Sequence, residues 1–209
     1  PLRLFYLLFG AASVQNSAMK WSSDHRRHHA HTDDESDPYN IRKGFWWAHI
    51  GWVLTKEPPP DLSNVADLQA DPLARFQHRF YVPLAGLVGV GLPTAAGALW
   101  GDWLGGLRVG GFLRLFVQYH ATFSINSVAH MIGSRPYCLT TSARDSGITA
   151  VITFGEGYHN FHHRFPMDYR NGVRYFHLDP AKWWIWSWSR IGMASGMRRT
   201  PPEQIAQAR

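Results

Sequence analysis

The sequence predicts an all-α protein built into a membrane, and three observations carry that prediction. Phe80 to Trp100 contains no charged residue. At about 1.5 Å per residue such a run can cross a hydrocarbon core of roughly 30 Å. Leu107 to Ala129 follows, after a short Gly-Asp-Trp-Leu-Gly-Gly turn, as a second and less apolar run. The chain also holds ten Trp, eight Tyr and twelve Phe, and Trp and Tyr collect at membrane interfaces.

Composition narrows the class. At 209 residues the chain is expected to form one domain, 1–209. Its one cysteine, Cys138, excludes an internal disulfide framework and a thiolate metal site. A net charge of +6 beside many aromatic rings also suits nucleic-acid binding. Here the basic residues scatter around an apolar hairpin and form no stripe, so no nucleic-acid partner is expected.

Taken in order, Leu2 to Ala12 is apolar apart from Arg3 and too short to span a membrane. It reads as the end of an earlier span, and with Pro1 as the first residue the chain is expected to be N-terminally truncated. Trp21 to Glu57 is polar, with a carboxylate-rich loop (Asp33, Asp34, Glu35, Asp37) and an aromatic stretch, Gly44 to Trp52, that suits an interfacial helix. Pro58-Pro59-Pro60 ends this region, and residues 61–79 read as helical surface. The two runs then form a membrane hairpin whose prolines and glycines a spanning helix tolerates. Arg108 and Arg114 lie near its turn and can snorkel. A hairpin returns the chain to the side it left, so 20–79 and 130–209 share one face. Lys20, Arg26, Arg27, Arg42, Lys43, Lys56, Arg75 and Arg79 lie there, which the positive-inside bias makes cytoplasmic. Lys182 to Trp188 reads as an interfacial anchor, and the polar tail Arg198–Arg209 is expected to fray.

Two motifs stand out. Asp24-His25-Arg26-Arg27-His28-His29 sets three imidazoles at spacings that share one helix face. Gly155-Glu156-Gly157-Tyr158-His159-Asn160-Phe161-His162-His163 repeats the same His-x-x-His-His spacing. Between them, Asn126 and His130 stand four apart at the end of the second run, where polar residues are costly unless they serve a site. Seven nitrogen donors without a thiolate exceed what one zinc takes and point to two metals in a histidine cage, with redox iron the natural candidate. Asp24, Asp33, Asp34, Glu35, Asp37, Glu156 and Asp168 are candidates to accept the second ring N–H of a ligand.

These stretches, with Gln15-Asn16-Ser17, Trp21, Asp37-Pro38, Gly44-Phe45, His49-Ile50-Gly51-Trp52 and Asn126-Ser127-Val128-Ala129-His130, resemble in collinear order the membrane-bound fatty acid desaturases, closest to the Δ9, stearoyl-CoA desaturase-like branch. The resemblance runs from Gln15 to about Tyr175. It implies integral membrane helices (a hairpin of two spans plus the end of an earlier one) with a cytosolic helical cap over two iron ions. His25, His28, His29, His130, His159, His162 and His163 match the family's metal ligands, and Asn126 the position that holds a metal-bound water. The family's earlier His-x3-4-His box has no counterpart, so these residues alone are expected to lack two ligands. His31, His49, His78, His120 and His177 are the only other histidines that could substitute.

The resemblance further implies O2-dependent formation of a cis double bond, at Δ9, in a saturated acyl-CoA, for unsaturated fatty acid biosynthesis. Electrons come from a separate donor protein. No catalytic residue is expected beyond the metal ligands. Unactivated methylenes must be selected by position. Tyr119 and Phe123, with Asn126 and His130, are candidates to line the acyl tunnel beside the metals, Trp21 to contact the substrate, and Lys56, with Arg42 and Lys43, to meet an anionic head group. Glu57 stands where the animal enzymes carry a second basic residue, which keeps acyl-carrier protein or lipid-linked chains open as substrates. The competing readings are a hydroxylase of the same histidine-box type and a non-catalytic membrane remnant.

Overall fold

The computed structural model describes residues 1–55 and 61–209. Among them every regular element is helical, and β pairing is limited to isolated bridges of Asp145 with Ser134 and Tyr158. The chain divides into two compact units, Pro1–Ala30 with Lys56–His120, and His31–Thr55 with Ala121–Arg209.

In the first unit an apolar helix, Leu2–Ala11, ends in a kink where Val14 and Asn16 are left-handed, with φ of 55° and 74°. That conformation is unfavourable for L-residues and most of all for a β-branched one, so the kink needs holding. Tyr119 Oη donates to the Val14 carbonyl at 2.8 Å, and the Asn16 N–H donates to Tyr81 Oη at 2.9 Å. The chain leaves the kink as the helix Ala18–Ala30, which carries the first histidine motif. The 61–79 segment grips this helix. The Ala18 N–H donates to Gln77 Oε1 at 3.0 Å, Ser23 Oγ donates to the Asp61 carbonyl, and Arg26 forms a two-pronged pair with Asp67 at 2.8 Å on both prongs.

One helix among the described residues is long and apolar enough to cross a membrane by length and composition: Tyr81–Ala98, with mean hydropathy 1.4 and only 17% of its window buried. The second expected span is helical through Trp103–Gly105, Gly106–Leu113 and Arg114–Asn126, but Arg108, Arg114, Gln118, His120 and Asn126 keep it outside that class. The turn between these helices is tight. A Cβ on Gly97 would sit 2.8 Å from Gly106 Cα, so the backbones touch, as small residues allow in membrane helix pairs.

Both helices widen into π turns, Leu87–Gly91 and Gly106–Leu113, and Arg114 uses what the widening frees. The backbone N–H groups that close the second π turn reach the Val109 and Gly111 carbonyls and skip that of Gly110; Arg114 Nε donates to Gly110 O at 2.8 Å instead. One Nη2 donates to Gly89 O at 2.8 Å and to Ala12 O at 3.0 Å. Pro93, four residues after Gly89, has no N–H to offer that carbonyl. Arg114 thus ties three apolar segments together through backbone oxygens that apolar surroundings could not satisfy.

The second unit has its own small core. Tyr137, Phe161 and Ile205 are buried together, with Phe165, Val173 and Ala208 against them. The expectation of a frayed tail is therefore corrected. Pro202–Gln207 is a helix, Ile205 plugs the core, and the Thr200 N–H donates to Asp168 at 2.8 Å. The polar tail is held by Ile205 and Ala208 on the core and by a few hydrogen bonds, among them Arg209 to Tyr137 Oη at 3.2 Å, too little to show in composition. A second cluster sets Phe123 edge-on against His49 and Trp52, at ring separations of 5.9 and 6.0 Å. Trp183, Trp184 and Trp186 are exposed on the helix Pro180–Arg190.

Replacing Arg114 with Met should leave the Gly89, Gly110 and Ala12 carbonyls short of a donor. At about 1–3 kcal/mol for each buried group left unsatisfied, the thermal midpoint of the detergent-solubilised protein should fall by several degrees or more. Lys, with one point charge for a fork, should restore only part of it.

Candidate metal centre

In the first unit the helix Ala18–Ala30 brings His25, His28 and His29 to one face. The ring centroids of His25 lie 4.6 Å from His29 and 6.5 Å from His28. Trp21, one turn earlier, stacks on His25 at 4.7 Å. The motif's other polar residues are spent on holding the helix. Asp24 pairs with Lys20 at 2.7 Å and Arg27 at 3.0 Å, and Arg26 is committed to Asp67. The arginines are thus internal ties and not a basic surface. Burial, followed by the neighbouring His29 and His28, holds the His25 imidazole down at about 3. It is neutral at physiological pH, the state that ligates metals.

In the second unit the helix His159–Arg164 carries the second motif, and the 3-10 turn Val128–His130 brings His130 to it. Nε2 of His159 lies 3.1 Å from Nε2 of His130 and 3.1 Å from Nε2 of His163. His162 lies beside His159 at a ring separation of 5.6 Å. One nitrogen of each of His130, His159 and His163 falls within 4.8 Å of the others. Neutral nitrogen lone pairs repel at such distances unless a proton or a cation lies between them. Two ligands held about 2.1 Å from one ion stand roughly 3.0–3.4 Å apart. The donor set therefore fits a nitrogen-bound metal ion.

Local chemistry explains why the chain folds this way here. Asp145 caps the box helix by accepting the Phe161 N–H at 3.0 Å. Asn160 lies between the histidines, and its amide faces away from them. It accepts the N–H groups of Tyr137 and Cys138 and donates to the carbonyls of Cys138 and Ala143. Gly157 is required because a Cβ there would fall on the backbone of Thr149 and Ala150.

The remaining candidates divide. Asn126 ends the helix Arg114–Asn126 and His130 sits in a separate 3-10 turn, so the two do not share one α-helical face as their spacing suggests. Tyr119 donates its hydroxyl to the Val14 carbonyl, and Phe123 is buried in the second unit's aromatic cluster. Lys56 and the triple proline lie outside the described residues, while Lys43 pairs with Glu35 at 3.4 Å. Among the acids, Asp33 connects to a candidate ligand, through Ser142. Asp34 faces His31, Asp168 faces Arg170, and Glu156, pushed up to about 7 by burial and then by Asp179, faces that residue and Asn171. Of the other histidines, His49 bonds Ser127, His78 bonds Ser17 and His177 stacks on Tyr158. Sequence reasoning missed Ser142, Asp145 and the clamp made by Asn160. Only Asn160, inside the motif, carried a signal.

Burial raises the Asp145 carboxyl to about 6, against the pull of the box helix N–H groups. Its folded pKa lies above its unfolded one, so the folded state holds the extra proton. Its contribution to stability is present at low pH and declines as pH rises from about 4 through about 6. Asp145→Asn should match the parent's thermal midpoint near pH 4 and exceed it above pH 6. An equal midpoint at every pH would contradict this assignment.

Comparison with known proteins agrees with the site. The family model described as fatty acid desaturase matches residues 2–191. The chain is 46% identical over 208 residues to a probable acyl-CoA desaturase of Schizosaccharomyces pombe, covering 98% of this chain and 43% of that protein. It is 46% identical over 211 residues to acyl-CoA desaturase 1 of Saccharomyces cerevisiae, covering 100% and 41%. It is 36% identical over 212 residues to the stearoyl-CoA desaturase of Sus scrofa, covering 98% and 59%. The chain thus spans about two fifths of the length of the fungal relatives. With the family match extending over nearly all of its residues, the chain belongs to the fatty acid desaturase family.

Proposed function

We propose that this protein converts a saturated fatty acyl-CoA to its cis-Δ9 unsaturated product. Two hydrogens leave adjacent methylenes, O2 takes them up with two protons and two electrons from a separate donor protein, and two waters form. The observation that supports this reading most is the convergence of His130, His159 and His163, with Nε2 of His159 3.1 Å from Nε2 of each of the other two, within a chain of the desaturase family. His25, His28 and His29 would supply the first motif's share of the ligands, and His162 completes the second. Asn126 would hold a water. Two iron ions bound there would supply the oxygen activation that abstraction from an unactivated C–H bond needs.

The chain's own residues do the rest. A neutral His25 presents a lone pair without first losing a proton. Trp21, Tyr119 and Phe123 would each contact the acyl chain, since position is the only basis for choosing among equivalent C–H bonds. Lys56 would meet the head group. The exposed tryptophans of Pro180–Arg190 and the apolar helix Tyr81–Ala98 would seat the protein in the bilayer, with the histidine motifs on the cytoplasmic side.

The test is product analysis. Membranes from cells expressing the protein, with whatever coding sequence precedes Pro1 included, are supplied with stearoyl-CoA, O2 and a reducing system. Mass spectrometry should find a product two hydrogens lighter, with its double bond at carbon 9. A product heavier by one oxygen atom would overturn the desaturase reading in favour of a hydroxylase. No turnover, together with failure to rescue a desaturase-deficient host, would favour a non-catalytic remnant.

A further inference from the structure

We propose that Asp33 and Ser142 form a relay that sets the ring tautomer of His130, which makes both of them positioning residues of the metal centre. The inference rests on the metal-centre reading above, and all three residues belong to the second unit.

The direction of the relay follows from hydrogen-bond arithmetic. Both Asp33 carboxylate oxygens face Ser142: Oδ2 accepts the Ser142 N–H at 2.6 Å, and Oδ1 accepts from Ser142 Oγ at 2.5 Å. A carboxylate has only acceptors to offer, and a serine hydroxyl has one hydrogen. That hydrogen is committed to Asp33. Ser142 Oγ also lies 2.7 Å from His130 Nδ1, and toward that nitrogen it can only accept. His130 therefore carries its proton on Nδ1. The lone pair of a neutral ring is then on Nε2, the atom 3.1 Å from His159 Nε2. Without Ser142 the two tautomers of an imidazole differ little, and half the population or more would present an N–H where a lone pair is needed.

Three features show that the relay is built and not incidental. Asp33 is buried and left-handed, with φ of 69°, a conformation Asp tolerates better than most residues but still at a cost. It is held there by its own N–H, which donates to Asp37 Oδ2 at 3.0 Å, while Asp37 Oδ1 accepts from the Tyr39 N–H at 2.9 Å. On the other side, the four hydrogen bonds of the Asn160 amide pin the 137–143 loop at both ends, which places Ser142. The residue that holds the loop is thus itself inside the second histidine motif, next to His159.

Two measurements on the full-length protein test the relay. The first is nitrogen and carbon NMR of labelled histidine in the metal-free protein in membranes, with His130→Gln used to assign the His130 signal. The parent should show the Nδ1–H form. Ser142→Ala should shift the signal toward Nε2–H, and Ser142→Thr, which keeps the hydroxyl, should restore it. An Nε2–H parent, or an Ala variant with an unchanged signal, would overturn the relay. The second is retention of Co2+ against a chelator. Ser142→Ala and the near-isosteric Asp33→Asn should hold the metal ~10–100-fold less tightly, and Ser142→Thr within a few-fold of the parent. Equal retention in all variants would also overturn it. A parent that binds no metal would instead sink the metal-centre reading, and the NMR result would still decide the relay.

Discussion

The second unit depends on one demand: Nε2 of His159 is held 3.1 Å from Nε2 of both His130 and His163, and a proton or a cation must lie between nitrogens that close. Much of the surrounding chain can be understood as answering that demand. Asp145 caps the box helix, Gly157 lets it pack against Gly147–Ile152, and the core of Tyr137, Phe161 and Ile205 anchors it from behind. Phe161 is a motif residue and also the centre of that core. A change in the core therefore moves the ligands directly, which is how a C-terminal tail with no chemistry of its own comes to matter.

The first unit solves a different problem. It must deliver a polar, histidine-bearing helix from an apolar one, and it does so through a strained kink at Val14 and Asn16. The strain persists because side chains from two later segments, Tyr81 and Tyr119, grip it and Arg114 closes the turn before it. Arg114 also shows how an apolar hairpin can carry a guanidinium. The π turns and Pro93 leave carbonyls short of donors, and the fork supplies them. The charge that keeps this helix from reading as a span is the group that ties it to its neighbours.

The helical class, the histidine motifs and the family were legible in the sequence, because spacing and residue type encode them directly. His-x-x-His-His needs only a helix to converge, and a charge-free run needs only its length. Less legible were features that depend on contacts between distant residues. Nothing in Thr140-Thr141-Ser142 marks the last as the partner of His130, and nothing in a run of four acids singles out Asp33 as the one aimed at it. The acidic loop reads as solvated until its backbone is known to turn left-handed at that residue. The tail misled for the opposite reason, since one buried Ile205 outweighs a polar composition.

The most direct test of the central claim is X-ray absorption at the iron edge of the purified full-length protein. Bound iron should show nitrogen neighbours at about 2.1 Å and the multiple scattering of several imidazole rings, reduced when His159 is replaced by Ala. Iron that lacks imidazole scattering, or a spectrum unchanged by that replacement, would contradict it.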